Sequence, residues 1–249
     1  MPIPAPHSRS ALNRPGRGGR IVSLAAALIL AGCSSSGGLP IGGGPASQGP
    51  PASTVDLSSC PTSQPLSLAA GQTRTVTITT GQGKIVIKVD AAKAPIATAN
   101  FVALAGCGYY DGVVFQRLVP GYIIQGGDGE FGRVGADGKL SAADAGEVGS
   151  GNPGYTIGDD PPRTDYGRGT VAMARTGDPH SEAAQFFIVL ADGPAAQSLA
   201  GSNQYGYAII GSVTSGMDVV DAIAGMPNSG DPNNAAIDPV PMTTVAVGP

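Results

Sequence analysis

The chain has 249 residues, with 39 glycines, 22 prolines, no tryptophan, and 18 acidic against 14 basic residues, a formal net charge of −4. That balance excludes a protein whose main partner is nucleic acid or anionic lipid, because both demand basic surface. The length suits one domain around one core, and the sequence has no heptads, no solenoid repeat and no second hydrophobic span.

Residues 1–20 carry Arg9, Arg14, Arg17 and Arg20 and no acid, and "IVSLAAALILAG" follows at 21–32. A membrane-spanning helix needs about 20 apolar residues, so a basic start before this short apolar run reads as a secretory signal. The segment ends in "LAGC", Leu30 to Cys33. It resembles the bacterial lipobox, which implies a diacylglycerol on Cys33 and a new N-terminus there. The alternative is an ordinary signal followed by a chance cysteine. "SSSGGLPIGGGPASQGPPAS" at 34–53 can bury nothing and reads as a flexible tether. The expected organisation is a lipoprotein signal over 1–32, an anchored tether over 33–69 and one domain over 70–249. Without the four signal arginines, ten basic residues face 18 acids, and the net charge becomes −8. With Cys33 lipidated, Cys60 and Cys107 remain as an even pair outside the cytoplasm. Such pairs tend to oxidise to a disulfide; two buried free thiols are the alternative.

"TRTVTITT" (73–80) and "GKIVIKVD" (83–90) alternate with period two around the turn "TGQG", which predicts a β-hairpin. "APIATANFVALAGCGYY" (94–110) shifts to helical period, with Pro95 in the first turn and Gly106 and Gly108 at the end. Short strands follow at 113–119, 122–127, 169–175, 185–191 and 207–213. A second helix is expected over "GMDVVDAIA" (216–224) and a last strand over "MTTVAVG" (242–248). Many short strands, glycine turns and two helices point to a mostly β fold, an antiparallel barrel or sandwich. Residues 129–153 hold almost no large apolar side chain beyond Phe131 and read as a long surface loop.

Several apparent motifs carry no chemistry. His180, the single histidine after the signal, lies in a polar loop and reads as solvated. No cysteine or histidine cluster has metal-ligand spacing, and no cofactor is expected. Gly127, Gly129 and Gly132 match G-x-G-x-x-G, but no helix follows. Asp159 and Asp160, just before Pro161 and Pro162, read as a turn. What remains is Arg117, alone in the apolar run "FQRLVPGYIIQGGD" (115–128). Arginine cannot shed its charge, so burial demands a partner or a concave, partly wet site. By alternation Phe115, Arg117 and Val119 share a face, and Gln125 comes from the next strand. "GTVAMARTGDPHSEAAQFFIVL" (169–190) adds Met173, Gln185, Phe186 and Phe187. Apolar walls, one guanidinium and a few amides suit a neutral, amide-rich ligand, a peptide. The alternative is an arginine bridging to a core carboxylate.

Those two stretches resemble the central motifs of the cyclophilin family of peptidyl-prolyl cis/trans isomerases. "NFVALAGCGYYDGVVF" (100–115), "GNPGYTI" (151–157) and "YAIIGSVTSGMDVVDAI" (207–223) are similar to further blocks in the same order, so the resemblance spans roughly 73–248. "MART" at 173–176 is similar to the bacterial extracytoplasmic branch. The resemblance implies an eight-stranded antiparallel closed barrel capped by two α-helices. It implies a catalytic Arg117, and Gln125 can orient either Arg117 or the substrate carbonyl. The implied proline pocket is Tyr122, Ile123, Gln125, Phe187 and Leu199, with Tyr207 in a histidine's usual place and Phe115 beside Arg117. The implied backbone wall is Gly149, Ala174, Arg175, Thr176 and Gln185. Tyr122 replaces the usual phenylalanine, and Arg175 and Thr176 replace an asparagine and an alanine of eukaryotic members. Ser198 stands nearest the place of a tryptophan that aids cyclosporin binding, so cyclosporin is expected to bind weakly.

The expected activity is rotation of X–Pro bonds in exported polypeptides, assisting their folding. The alternatives are a proline-peptide-binding chaperone or adhesion module with little turnover and, on the lipobox alone, a solute-binding lipoprotein. The expected partners are proline-containing polypeptides, with no nucleic acid and with membrane contact only through the anchor. The expected state is a monomer on the extracytoplasmic face of a bacterial cell membrane.

Overall fold

The computed structural model describes residues 55–162 and 165–249. The expected signal segment, Cys33 and the stretch 34–54 lie outside the described residues. β1 (Thr73–Thr80) and β2 (Gly83–Asp90) form the expected hairpin, paired from Thr73/Asp90 to Thr80/Gly83. Val76, Ile78, Ile85 and Ile87 point into the core, Thr80 is buried on the same face, and Thr75, Thr77 and Thr79 lie on the other. Helix α1 (Pro95–Gly106) follows, then β3 (Phe115–Val119), β4 (Ile123–Gly126), β5 (Thr170–Met173) and β6 (Phe186–Val189). Helix α2 (Pro194–Ser202), β7 (Ile209–Ser215), α3 (Met217–Ala224) and β8 (Met242–Gly248) complete the order. The strands form one antiparallel sheet in the order β3-β4-β6-β5-β7-β2-β1-β8.

The sheet curls into a half-barrel but does not close, contrary to the closed barrel expected. β3 and β8 are its two ends. They are stitched by an isolated bridge between Val114 and Pro241, by the Phe115 amide donating to Val240 O at 3.0 Å, by paired bonds between Gly112, Val113 and Met242, and by the Val245 amide donating to Asp111 Oδ1 at 2.7 Å. The reason lies in Pro239 and Pro241, which lead into β8 and have no N–H to donate across the seam.

The number of helices also differs from expectation, three rather than two. α1 and α3 pack on the inner face, over a core in which Phe101, Tyr110, Phe115 and Phe186 meet. α2 covers the outer face of β4, β5 and β6, placing Ala196 and Leu199 against Ile123, Ala172, Phe187 and Val189. These central strands are therefore buried on both sides, which is why "FFIV" reads as a continuous apolar run rather than an alternation.

The end of the expected tether lies against the domain instead of extending to residue 69. Leu57 and Cys60 pack on the core, Leu68 N donates to Pro95 O, and Gln64 Oε1 accepts the Gly158 amide at 2.7 Å. Cys60 and Cys107 form a disulfide with Cα atoms 5.2 Å apart, tying this segment to the end of α1.

Candidate active site

β3 places the central cation through an irregularity that alternation alone does not reveal. Phe115 pairs with Gly126 and Arg117 pairs with Gln125, so Gln116 is an extra residue and the register shifts between them. Such a bulge turns neighbouring side chains onto different faces. Phe115 consequently points inward, fully buried, with its ring 6.1 Å from that of Phe186. It is not part of the pocket, which corrects the expectation that it shares a face with Arg117. Arg117 points outward and stays half-buried. Of the five described arginines, it alone makes no hydrogen bond or ion pair. Arg74, Arg133, Arg168 and Arg175 all donate to carbonyls or carboxylates. No carboxylate bridges Arg117, so its fork is available to a ligand.

A cavity of about 280 Å³ opens beside this guanidinium, lined by Tyr122, Ile123, Gln125, Phe187, Leu199 and Tyr207. Phe187 forms the floor with the Tyr207 ring edge-on at 5.2 Å. The two tyrosines are held by α2: Ser198 Oγ and Ser202 Oγ, whose hydrogens go to Ala195 O and Leu199 O, accept from the Tyr122 and Tyr207 hydroxyls at 3.3 and 3.4 Å. Behind the wall, the Tyr166 hydroxyl accepts from the Tyr207 amide at 2.8 Å and donates to the Tyr207 carbonyl at 2.9 Å. Burial pushes that Tyr166 hydroxyl up to about 12, so it remains a donor through the neutral range.

A second cavity of about 500 Å³ continues past Gln125, lined among others by Gly149, Gly151, Ala174, Arg175, Thr176 and Gln185. Gln185 is its hub. It donates through Nε2 to the Gly149 and Gly151 carbonyls at 2.9 and 3.0 Å and accepts from Gln125 Nε2 at 3.0 Å. The Gln116 side-chain amide lies 2.8 Å from the same oxygen. Gln125 is thus fixed next to Arg117 by a chain of amides. The Arg175 side chain is 1% exposed, so what it presents to both cavities is main chain. Its guanidinium pairs with Asp159 at 2.7 Å, donates to Asp178 O and lies 4.8 Å from the Tyr205 ring centre. With Asn203 Nδ2 donating to Thr176 O, these contacts clamp the 174–182 loop.

Three acids positioned by tertiary structure escaped sequence reasoning. Asp128 is fully buried and accepts the amides of Glu130, Phe131, Gly149 and Gly151 at 2.7–3.1 Å. It latches both ends of the 129–148 loop and presents Gly149 and Gly151 to Gln185. Asp160 accepts the Ile96 and Ala97 amides at 2.6 and 3.0 Å, capping α1, whose own N-cap, Ala94, has no side-chain acceptor. Its neighbour Asp159 holds Arg175 rather than forming part of a simple turn. Consecutive acids before a proline pair gave a turn signal, and nothing local marked partners 16 and 64 residues away. His180 is 68% exposed, away from both cavities, as its polar loop suggests. Gly127 and Gly129 serve packing: an added Cβ would meet Ala184 O at 2.8 Å and the Tyr109 ring respectively.

An unpartnered guanidinium beside a small aromatic pocket, with a second groove alongside, can take an apolar residue and its peptide neighbours. The comparisons with known proteins give the family. Residues 75–247 match the family model described as cyclophilin type peptidyl-prolyl cis-trans isomerase. A peptidyl-prolyl cis-trans isomerase of Streptomyces antibioticus is 37% identical over 153 residues, covering 61% of this chain and 84% of the relative. Peptidyl-prolyl cis-trans isomerase B of Escherichia coli is 37% identical over 155 residues, with 61% and 84% covered. Among solved structures, a cyclophilin type peptidyl-prolyl cis-trans isomerase of Cryptosporidium parvum aligns with a TM-score of 0.56 at 26% identity. That alignment covers 72% of this chain and 99% of the other. The chain belongs to the cyclophilin-type peptidyl-prolyl cis-trans isomerase family, and so to the enzymes that rotate the peptide bond before proline.

Proposed function

We propose that this isomerase works through Arg117 on proline-containing segments of exported polypeptides, held at the outer face of a bacterial membrane by a lipid on Cys33. The observation that carries the catalytic assignment is the free guanidinium of Arg117 at the mouth of the Tyr122–Phe187–Tyr207 pocket.

Rotation about a peptide bond is opposed by roughly 18–20 kcal/mol of conjugation, so an X–Pro bond isomerises in tens to hundreds of seconds unaided. The nitrogen lone pair becomes available only when the bond is twisted. A donor aimed at it therefore stabilises the twisted state and neither planar one, which is the requirement for catalysis. Arg117 is placed to donate there once the proline ring rests on Phe187 and Ile123. Gln125, fixed beside the fork by Gln185, would orient the fork or the substrate carbonyl once the peptide is bound. The main chain at Gly149–Gly151 and Ala174–Thr176 holds the residues on one side while the other side turns. An acceleration of about 10⁵-fold needs roughly 7 kcal/mol from these contacts together.

The cellular setting rests on sequence and chemistry. "LAGC" after a basic, short apolar segment is the lipobox pattern, and a Cys60–Cys107 disulfide suits an oxidising compartment. A protease-coupled assay on a proline tetrapeptide tests the catalytic reading: the mature protein should accelerate cis-to-trans conversion in proportion to its concentration. Binding of the same peptide without acceleration would instead make it a proline-peptide-binding chaperone or adhesion module.

A further inference from the structure

The proline pocket does not end at Arg117. A trench of about 570 Å³ runs from Arg117, Gln116 and Gln125 between Glu147–Ser150 of the long loop and Pro232–Asn233. Through Gln116, Ala145, Val148 and Ala235 it continues into a cavity of about 360 Å³, whose walls include Val134, Leu140 and Ile237. Ile237 is 66% exposed, and with Leu66 it is one of two large apolar side chains in that state among the described residues. It sits on the rim of this far cavity. The near trench is lined by Gln116, Gln125 and Asn233 with Glu147 and Ser150, and the far cavity includes the branched aliphatic side chains Val134, Leu140, Val148 and Ile237.

We propose that this trench and cavity form an extended subsite for the client polypeptide, with an apolar side chain a few residues from the proline seated among Leu140, Val148 and Ile237. The proposal rests on the isomerase reading of the adjoining pocket. The occupant is a polypeptide because the trench is continuous with the proline site and shares Arg117 and Gln125 with it. It is lined by Gly146, Glu147, Gly149 and Ser150 on the loop side and by the carboxamide residues Gln116, Gln125 and Asn233 elsewhere, and carboxamides pair with peptide N–H and C=O. An extended chain advances roughly 3.3–3.6 Å per residue, so a few residues carry it from the proline pocket along the trench. The aliphatic end selects Leu, Ile or Met there rather than a charged residue, since Lys139 and Asp238 at its margin are of opposite sign and favour neither. Asp128 serves this site as well, by holding the loop that forms one bank.

The test uses the mature full-length protein and an Ala-Ala-Pro-Ala core extended by four residues on either its N- or its C-terminal side. Each extension carries leucine or serine at successive positions, and dissociation constants are measured by calorimetry. On one side, the best leucine peptide should bind about tenfold tighter than its serine counterpart, since partial burial of a leucine accounts for that factor. In Ile237→Ser and Leu140→Ser that advantage should fall to less than about twofold, while isomerisation of the unextended core is unchanged. A benzoylphenylalanine replacing the favoured leucine should crosslink to 134–148 or 235–239 in the unsubstituted protein, a readout independent of any variant's folding. No leucine advantage on either side, an advantage that survives both substitutions, or crosslinks confined elsewhere would overturn the proposal. Failure to isomerise the bare core would instead overturn the isomerase reading, and the binding comparison would still decide the subsite.

Discussion

Replacing Glu182 with glutamine should change how stability depends on pH, and the structure sets the size of the effect. Glu182 is fully buried behind the pocket wall. Its Oε1 accepts the Ala208 amide at 2.9 Å, next to Tyr207, while Oε2 has no partner. Burial pushes this carboxyl from the ordinary 4.5 up to about 8; the Ala208 amide and Arg175 pull against that shift, and Asp159 and Asp160 add to it. Below pH 4.5 both folded and unfolded chains hold the proton, and the group has no effect on pH dependence. Between 4.5 and about 8 only the folded chain holds it, so stability falls as pH rises, by about 1.4 kcal/mol per pH unit. Above about 8 the loss is complete, at roughly 5 kcal/mol. That is an upper figure, because relaxation and water entry lower the cost of a buried charge. The glutamine amide stays neutral throughout. Urea unfolding of both proteins at pH 5, 6.5 and 8 should show similar stability at pH 5 and an advantage for Glu182→Gln of a few kcal/mol at pH 8. Parallel pH profiles would refute the reasoning and mean that Glu182 is already ionised and compensated in the folded chain.

Asp160→Ala should lower stability by about 1–2 kcal/mol, as expected for loss of a helix cap, and circular dichroism during thermal unfolding reads it; an unchanged midpoint would show that water replaces the carboxylate. Reducing the Cys60–Cys107 bridge, which spans 47 positions, should reduce stability by about 4 kcal/mol on the chain-entropy model. Equal urea midpoints with and without reductant would contradict this. Cys33→Ala should leave the protein unlipidated and released from the membrane fraction, and a variant as membrane-bound as the parent would remove the lipobox from the account.

Elements with a strong local period were legible in the sequence. The β1–β2 hairpin follows from threonines alternating with Val76 and Ile78, and β8 falls on its expected residues. α2 was missed because "PAAQSLAGS" has only Ala196 and Leu199 to bury; Pro194 at its first turn was the available signal. Arg117 stands out in the sequence as a cation among apolar residues, and the structure leaves its guanidinium unpartnered beside a cavity. Phe115 was misplaced because a bulge at Gln116 breaks the alternation that put it beside Arg117. Arg175 is expected in the peptide wall, and the structure shows it lining both cavities with its side chain buried. That its side chain turns away to Asp159 depends on a contact 16 residues distant, as the roles of Asp128 and Asp160 depend on amides that only the fold brings near. The open seam follows from where Pro239 and Pro241 land, which strand counting does not predict.

The central claim is that Arg117 acts on the twisted amide rather than on the bound peptide or the fold. Line-shape exchange spectroscopy on a proline peptide reads turnover and affinity separately, for the parent, Arg117→Ala and Arg117→Lys. A charge-assisted hydrogen bond contributes roughly 1.5–3 kcal/mol, so Arg117→Ala should isomerise about 10- to 150-fold more slowly while binding the peptide nearly as well. Arg117→Lys should recover only part of the rate, since lysine lacks the planar fork. An alanine variant that turns over at the parental rate, or that fails because it no longer folds, would contradict the account.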